Sequence, residues 1–225
     1  MNSKNWTLIL DFDSTIITSE SLDILSELIL KDQINSKSII KKIKKFTNEG
    51  MEGLISFEDS LKKRLKLLDI KEYHLVELRK IVLKLITPSI NKNCLWLKEN
   101  ADNIYIFSGG FKSIIVPVAK KIGLKIENIY ANNLVFLKNG SFKGIDEGNL
   151  LSKSSGKLVQ AKLLDLNSKI IVVGDGSTDQ EMKKIGKNVT FFCYTENIYR
   201  NKVANKADFI VEKFDHIITY IDKLN

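Results

Sequence analysis

The 225-residue chain has only two cysteines, two histidines and two prolines. Cys94 and Cys193 stand far apart without metal-ligand spacing, so neither a disulfide framework nor a zinc module is expected. Two reduced, packed thiols are expected instead, since free cysteine behaves as a small hydrophobe. His74 and His216 fall in helix-like segments with no partner at ligand spacing, which points to surface or packing roles. No apolar run approaches the ~20 residues of a membrane span. The run Leu8-Ile9-Leu10 near the N-terminus is too short for the apolar part of a secretory leader, so a cytoplasmic location is expected. There is no internal repeat and no low-complexity linker. Pro117 interrupts the apolar segment 114–122, where a helix is expected to kink or begin a new turn.

What is present is the balance of a soluble globular protein, with 44% apolar and 28% charged residues. A chain of this length can bury roughly 70–75% of its unfolded surface and needs no staple. The net charge of +8 raises the question of nucleic acid or an anionic membrane. Its distribution argues against both. Lysines are spread through the predicted helices beside Glu and Asp, and the densest cluster, Lys41-Lys42-Ile43-Lys44-Lys45, continues an apolar stripe through Ile39, Ile40 and Ile43. That pattern is a solvated helix face, so no nucleic acid and no membrane is expected as a partner.

Several short apolar runs end in Asp, Ser or Gly: Leu8-Ile9-Leu10 before Asp11, Ile104-Tyr105-Ile106-Phe107 before Ser108, and Ile170-Ile171-Val172-Val173 before Gly174. Unbroken β-branched and aromatic runs fit strands buried on both faces of a parallel sheet. Residues 190–194 and 209–211 add two more strands, and helix-period segments over 156–165 and 179–185 lie between. The alternation predicts an α/β fold, a doubly wound Rossmann-like parallel sheet with its ligand site outside the carboxyl ends of the strands. Two stretches interrupt it. Residues 18–86 read as consecutive amphipathic helices, a cap inserted after the first strand, and 1–17 with 87–225 form the core. Residues 134–142 contain Asn139-Gly140 and predict a β-hairpin on that core.

Asp11-Phe12-Asp13-Ser14-Thr15 directly follows the first predicted strand. Two carboxylates at the end of a hydrophobic strand repel one another and need a cation or a proton between them, which suits Mg2+ and acid–base work. A helix N-cap is the plain alternative, since Asp, Ser and Thr all favour that position, and on this stretch alone both readings stay open. The segment Gly174-Asp175-Gly176-Ser177-Thr178-Asp179 breaks the tie, because it brings further carboxylates to the same sheet edge. Mg2+ takes oxygen ligands and keeps several waters, so two or three protein contributions suffice. Ser108-Gly109-Gly110 follows another buried run and precedes a predicted helix, where a hydroxyl and freed backbone N–H groups make an anion cradle. Lys157, in Ser155-Gly156-Lys157, opens the helix before the Asp175 strand and offers a compact cation for phosphate.

Asp-x-Asp-x-Thr, Ser-Gly-Gly, Lys and Gly-Asp-Gly-x-x-Asp, in this order, resemble the four-motif pattern of the haloacid dehalogenase superfamily across nearly the whole chain. Within it the chain is most similar to the phosphoserine phosphatases, through Glu20, Met51-Glu52-Gly53, Phe57, Ser60-Leu61 with Arg64, and Ser108-Gly109-Gly110-Phe111. The resemblance implies a Mg2+-dependent hydrolysis of O-phosphoserine, the last step of serine biosynthesis. Asp11 is the implied nucleophile and Asp13 the general acid, and Mg2+ is held by Asp11, the backbone carbonyl of Asp13, and Asp175. Asp179 would orient a metal-bound water or Lys157. Ser108, Gly109, Gly110 and Thr178 would cradle the phosphate, Glu20 would take the ammonium and Arg64 the carboxylate, while Met51 and Phe57 line the closed cap. One departure stands out: an ungapped comparison puts Ser155 where the third-motif lysine belongs, so Lys157 must reach the site by a small shift, with Lys153 in reserve.

The implied partner is a small-molecule phosphate monoester, in a monomer or a homodimer. The nearest rival is a related phosphatase or phosphotransferase acting on another small monoester, with the same core chemistry and a different cap pocket. A nucleic-acid-binding protein would need the basic surface and not Asp11. A persistent aspartyl-phosphate switch is disfavoured by a base two residues from the nucleophile, and a simple dehalogenase would leave the acidic pairs unexplained.

Overall fold

The computed structural model describes residues 5–164, 166 and 169–224. In chain order its strands and α-helices are β1 (Trp6–Leu10), α1 (Ser21–Leu30), α2 (Ser36–Met51), α3 (Phe57–Leu65), α4 (Glu72–Val82), α5 (Pro88–Lys92), α6 (Cys94–Glu99), β2 (Ile104–Phe111), α7 (Lys112–Lys121) and β3 (Ile129–Asn132). They continue with β4 (Leu134–Phe136), β5 (Phe142–Ile145), α8 (Gly156–Leu163), β6 (Lys169–Gly174), α9 (Ser177–Glu181), β7 (Val189–Tyr194), α10 (Asn201–Ala204), β8 (Phe209–Val211) and α11 (Phe214–Asp222).

Six strands form one parallel sheet in the order β3-β2-β1-β6-β7-β8. The apolar runs make it a central layer because successive side chains leave opposite faces. Leu8, Leu10, Ile171 and Val173 enter the larger core, which continues into the helices of 18–86, while Ile9, Ile170, Val172 and Phe191 enter a smaller core under α8 and α10. Each such side chain, fully buried, is worth roughly 1.5–3 kcal/mol of hydrophobic transfer. The chain first builds β2 and β3 on one side of β1, then crosses to build β6, β7 and β8 on the other. That reversal opens a crevice at the carboxyl end of β1.

Between residues 18 and 86 lie α1 to α4. The two connections to this segment run side by side: Ile17 bridges Ile86, Thr18 N–H donates to Leu85 O at 2.8 Å, and Thr87 N–H to Ile16 O at 2.9 Å. On α2, Ile43, Thr47 and Gly50 are buried while Lys41, Lys42, Lys44 and Lys45 are exposed. Ser56 caps α3, accepting from Asp59 N–H at 3.0 Å. Lys71 N–H donates to His74 Nδ1 at 3.1 Å at the start of α4, which gives His74 a capping role. β4 and β5 pair as a separate antiparallel hairpin, with Gly140 at φ +76° in its turn.

Several local expectations change. The strand expected to stop at Phe107 runs to Phe111, with a register shift between the two, so Ser108 lies in an irregular strand end and not at a helix start. The helix expected over 179–185 begins at Ser177, because Asp179 Oδ2 accepts the Gly176 N–H and caps it; a 3-10 turn, Met182–Ile185, follows α9. Pro117 sits inside a single helix, α7. The carbonyl that it leaves unpaired belongs to Ser113, which is exposed and can be satisfied by water. The helix expected over 156–165 is seen over Gly156–Leu163; residue 165 lies outside the described residues.

Candidate active site

Asp11 follows β1 directly and extends its pairing, its N–H donating to Val173 O at 2.9 Å. The chain then makes a wide, buried turn, Phe12–Ile16, in which Ser14 adopts φ +55°. A left-handed serine is strained, and the local bonds that hold it are Ser14 N–H to Ser19 O at 3.3 Å and Ser14 Oγ to Glu20 Oε1 at 2.8 Å. This turn aims Asp13 at the first residue of α1. Its Oδ1 accepts the Ser21 N–H at 2.9 Å and its Oδ2 the Ser21 Oγ–H at 3.1 Å. Burial pushes the Asp13 carboxyl up to about 7; the Ser21 N–H pulls it back and the neighbouring Asp11 charge adds to the rise.

From the neighbouring β6, Asp175 is fully buried, with Oδ2 accepting from Arg200 Nε at 2.8 Å. Asp179, on α9, spends both oxygens on the protein: Oδ1 accepts from Lys157 Nζ at 2.7 Å and Oδ2 from Gly176 N–H at 3.0 Å. Burial is the main cause that pushes both carboxyls up to about 7. Lys157, 7% exposed, also donates to Asp11 Oδ1 at 2.7 Å. Burial alone would lower its pKa, but the two carboxylates outweigh that and hold the ammonium above its usual range. Ser155, at φ +57°, turns its hydroxyl to Glu181 Oε1 at 3.0 Å, and the next turn of chain delivers Lys157.

A small cavity lies above these groups. Asp11, Asp13, Lys157, Ser108, Gly109 and Gly110 line it from the core, with Thr178 at the start of α9. Glu20, Met51, Phe57 and Arg64 line it from the other side, and Lys153 reaches it too. Asp175 and Asp179 are not in its wall. Lys153 Nζ stands 3.5 Å from Glu58 Oε1 on α3. Phe57 lies so close over Gly109 that a Cβ there would sit 2.2 Å from its ring. Arg64 is buried, donating Nε–H to Ser60 O and Nη1–H to Thr47 Oγ1, both at 3.3 Å. Burial, then the Asp13 charge, pushes Glu20 up to about 8.

Three neighbours had no signal in a motif. Ser21 holds Asp13, and its place at a helix start was the one available clue. Asn197 Nδ2 donates to Ser14 O at 3.0 Å and Thr87 Oγ1 at 2.8 Å, tying the strained turn to the far connection of the helical segment. Arg200 meets Asp175 and approaches Glu20.

The residues fit a divalent cation. Carboxylate oxygens of Asp11, Asp175 and Asp179 lie within 4.8 Å of one another, and Asp175 Oδ1 is buried without a hydrogen-bond partner. Hard oxygen donors in this number suit a cation that keeps several waters. Each Asp179 oxygen already accepts one hydrogen bond, so the oxygen most open to an ion is Asp175 Oδ1. The whole arrangement can hold an anion between a cation site, an ammonium and backbone N–H groups, beside one carboxylate aimed at it and a second that carries a proton near neutral pH.

Comparisons with known proteins agree with this chemistry. The profile of the haloacid dehalogenase-like hydrolase family matches residues 8–184. The chloroplastic phosphoserine phosphatase of Arabidopsis thaliana is 34% identical over 94% of this chain and 70% of its own length. The phosphoserine phosphatase of Methanocaldococcus jannaschii is 31% identical over 98% of this chain and 100% of its own. A crystal structure of a phosphoserine phosphohydrolase-like protein from Francisella tularensis superposes with a TM-score of 0.87 at 34% identity, covering 97% of this chain and 100% of that one. The chain belongs to the haloacid dehalogenase-like hydrolases. Within that class, these two curated relatives, each matched along most of this chain, are phosphoserine phosphatases.

Proposed function

We propose that this protein hydrolyses O-phospho-L-serine to serine and phosphate in the cytosol, the last step of serine biosynthesis, and that residues 18–86 act as a cap over a core made of 1–17 and 87–225. Asp11 attacks phosphorus while the bond to the serine oxygen breaks, and Asp13 gives that oxygen its proton. Water then attacks the aspartyl-phosphate, Asp13 takes the proton, and Asp11 leaves as the free carboxylate. Two easier steps replace one hard one. Lys157, Ser108, Thr178 and the backbone of Gly109 and Gly110 hold the phosphoryl oxygens, and Asp179 fixes Lys157. Asp11, the Asp13 carbonyl and Asp175 would hold Mg2+, which would supply positive charge beside the transferring phosphoryl group.

The observation that carries the substrate is the pairing of Glu20 and Arg64 in the cavity that Asp11 and Asp13 share. One carboxylate answers an ammonium and one guanidinium answers a carboxylate, and both groups sit largely out of water, so a substrate that lacks either charge forgoes a charge-assisted hydrogen bond. Met51 and Phe57 complete the closed side and exclude water.

The test is phosphate release from phosphoserine, from phosphoethanolamine, which lacks the carboxylate, and from phosphoglycolate, which lacks the amine, each with and without Mg2+. Phosphoserine should lead. Arg64→Ala should cost about 1.5–3 kcal/mol, the scale of a hydrogen bond to a charged group, on phosphoserine and on phosphoglycolate, which both carry the carboxylate, and leave phosphoethanolamine unchanged. Equal efficiency on all three esters would favour the rival reading, another small monoester. Turnover unaffected by metal removal would sink the mechanism.

A further inference from the structure

Arg200 lies outside every recognisable motif, between β7 and α10, and is 4% exposed. Its nitrogens reach three different parts of the molecule. Nε donates to Asp175 Oδ2 at 2.8 Å, and Nη1 to Asn48 Oδ1 on α2 at 3.1 Å. Nη2 is buried without a hydrogen-bond partner and stands 3.6 Å from Glu20 Oε1, beyond hydrogen-bond length but well within ion-pair range. Around the cavity stand five carboxylates, Asp11, Asp13, Glu20, Asp175 and Asp179, against the buried cations Lys157, Arg64 and Arg200 and the partly exposed Lys153. Lys157 is committed to Asp11 and Asp179. Among the described residues, Arg200 alone makes ion pairs with both Asp175 and Glu20.

We propose that Arg200 is a positioning residue that joins the cation site to the ammonium site, so that both take their working shape together. By holding Asp175 Oδ2, it leaves Oδ1 as the oxygen turned to the ion. By placing a fixed positive charge beside Glu20, it keeps that carboxylate oriented for a substrate ammonium. The bond to Asn48 makes both depend on the position of α2. A planar guanidinium can serve three directions at once, whereas an ammonium is a single point charge. The proposal rests on the reading of Glu20 given above for its second half and on Asp175 alone for its first.

Arg200→Gln and Arg200→Lys test it, with two readouts. The first is Mg2+ affinity by calorimetry on protein without substrate, which should weaken about tenfold, the lower end of what loss of an outer-sphere partner costs. The second is the ratio of kcat/KM on phosphoserine to that on p-nitrophenyl phosphate, which has neither amine nor carboxylate; it should fall about tenfold, chiefly through KM. Lysine should restore neither value fully, and in a Glu20→Gln background Arg200→Gln should leave the ratio unchanged while still weakening Mg2+. Parental affinity and ratio in Arg200→Gln would overturn the proposal, as would an equal loss on both esters with Mg2+ affinity intact, the mark of a merely structural role. A parent with no preference for phosphoserine overturns the substrate reading instead, and the Mg2+ titration then decides the role of Arg200 by itself. Should the glutamine variant not fold, the lysine variant is judged by the same two readouts.

Discussion

On the core side of the cavity the functional groups are short and sit at or just beyond strand ends. Asp11 follows β1, Ser108 lies near the end of β2, and Asp175 follows β6, so three hydrogen-bonded strands set their spacing. On the helical side the groups are the long side chains of Glu20, Met51, Phe57 and Arg64, carried by α1, α2 and α3 or the residue before them. That segment joins the core through the paired connections at Ile17 and Ile86, shares the larger hydrophobic core with it, and adds polar contacts such as Ser177 Oγ–H to Gly50 O at 3.2 Å and Lys153 to Glu58 at 3.5 Å. The two sides therefore suit different tasks. On the proposed function, the groups that meet phosphorus sit at the ends of the sheet strands, and the groups that recognise the substrate sit on the helical segment packed over them.

The sharpest separation of the two regions is Asp11→Asn. It should lower turnover more than about 10⁴-fold, as loss of a nucleophile does, while leaving the cap groups in place. Phosphate release measures the loss, and phosphoserine binding retained in calorimetry measures the survival of the cap side.

Next comes the point where the regions press together. In Gly109→Ala the new methyl would stand 2.2 Å from the Phe57 ring, so that ring must shift from its place over Gly109. A displacement on that scale should cost about a hundredfold in kcat/KM. Adding Phe57→Ala should recover part of it, and a double variant no better than the single one would show that the contact is not the cause.

Glu20 allows the cap side to be read through pH. Its carboxyl is raised from 4.5 to about 8, chiefly by burial, so the folded protein binds this proton more tightly than the unfolded chain. The resulting stabilisation is fully present below 4.5 and is lost as the pH rises through about 8. The Tm of metal-free protein should fall by a few degrees over that span, and Glu20→Gln, which never ionises, should flatten the fall. An unchanged slope would count against the burial of this carboxyl.

The smallest effect concerns a single tether. Ser177→Ala removes one part-buried hydrogen bond between α9 and the end of α2. KM should change by less than about tenfold, with Asp11-dependent chemistry intact in single-turnover experiments.

Much of the core side is legible in the amino-acid sequence. Apolar runs buried on both sheet faces mark strands, and each places the next few polar residues at a common edge, so Asp11, Ser108 and Asp175 converge by the geometry of a parallel sheet alone. Lys157 is harder to place than these, because the left-handed turn at Ser155 decides which lysine meets Asp11 and Asp179. The extent of the strand through Ser108, the continuous helix across Pro117 and the start of α9 all depend on partners or solvent that a local pattern does not contain.

Arg200 and Asn197 mark the limit most clearly. Nothing in the residues beside them distinguishes them, and they matter only because folding brings them to Asp175 and Glu20, and to Ser14 and Thr87. The amino-acid sequence by itself determined the strand layer, the helical insertion and the acidic chemistry at the sheet edge, since these follow from periodicity and short-range spacing. The tertiary structure decided which charges meet inside the cavity. A buried ion takes its partner from whatever the packed chain places within a few ångströms, however distant in the sequence that partner lies.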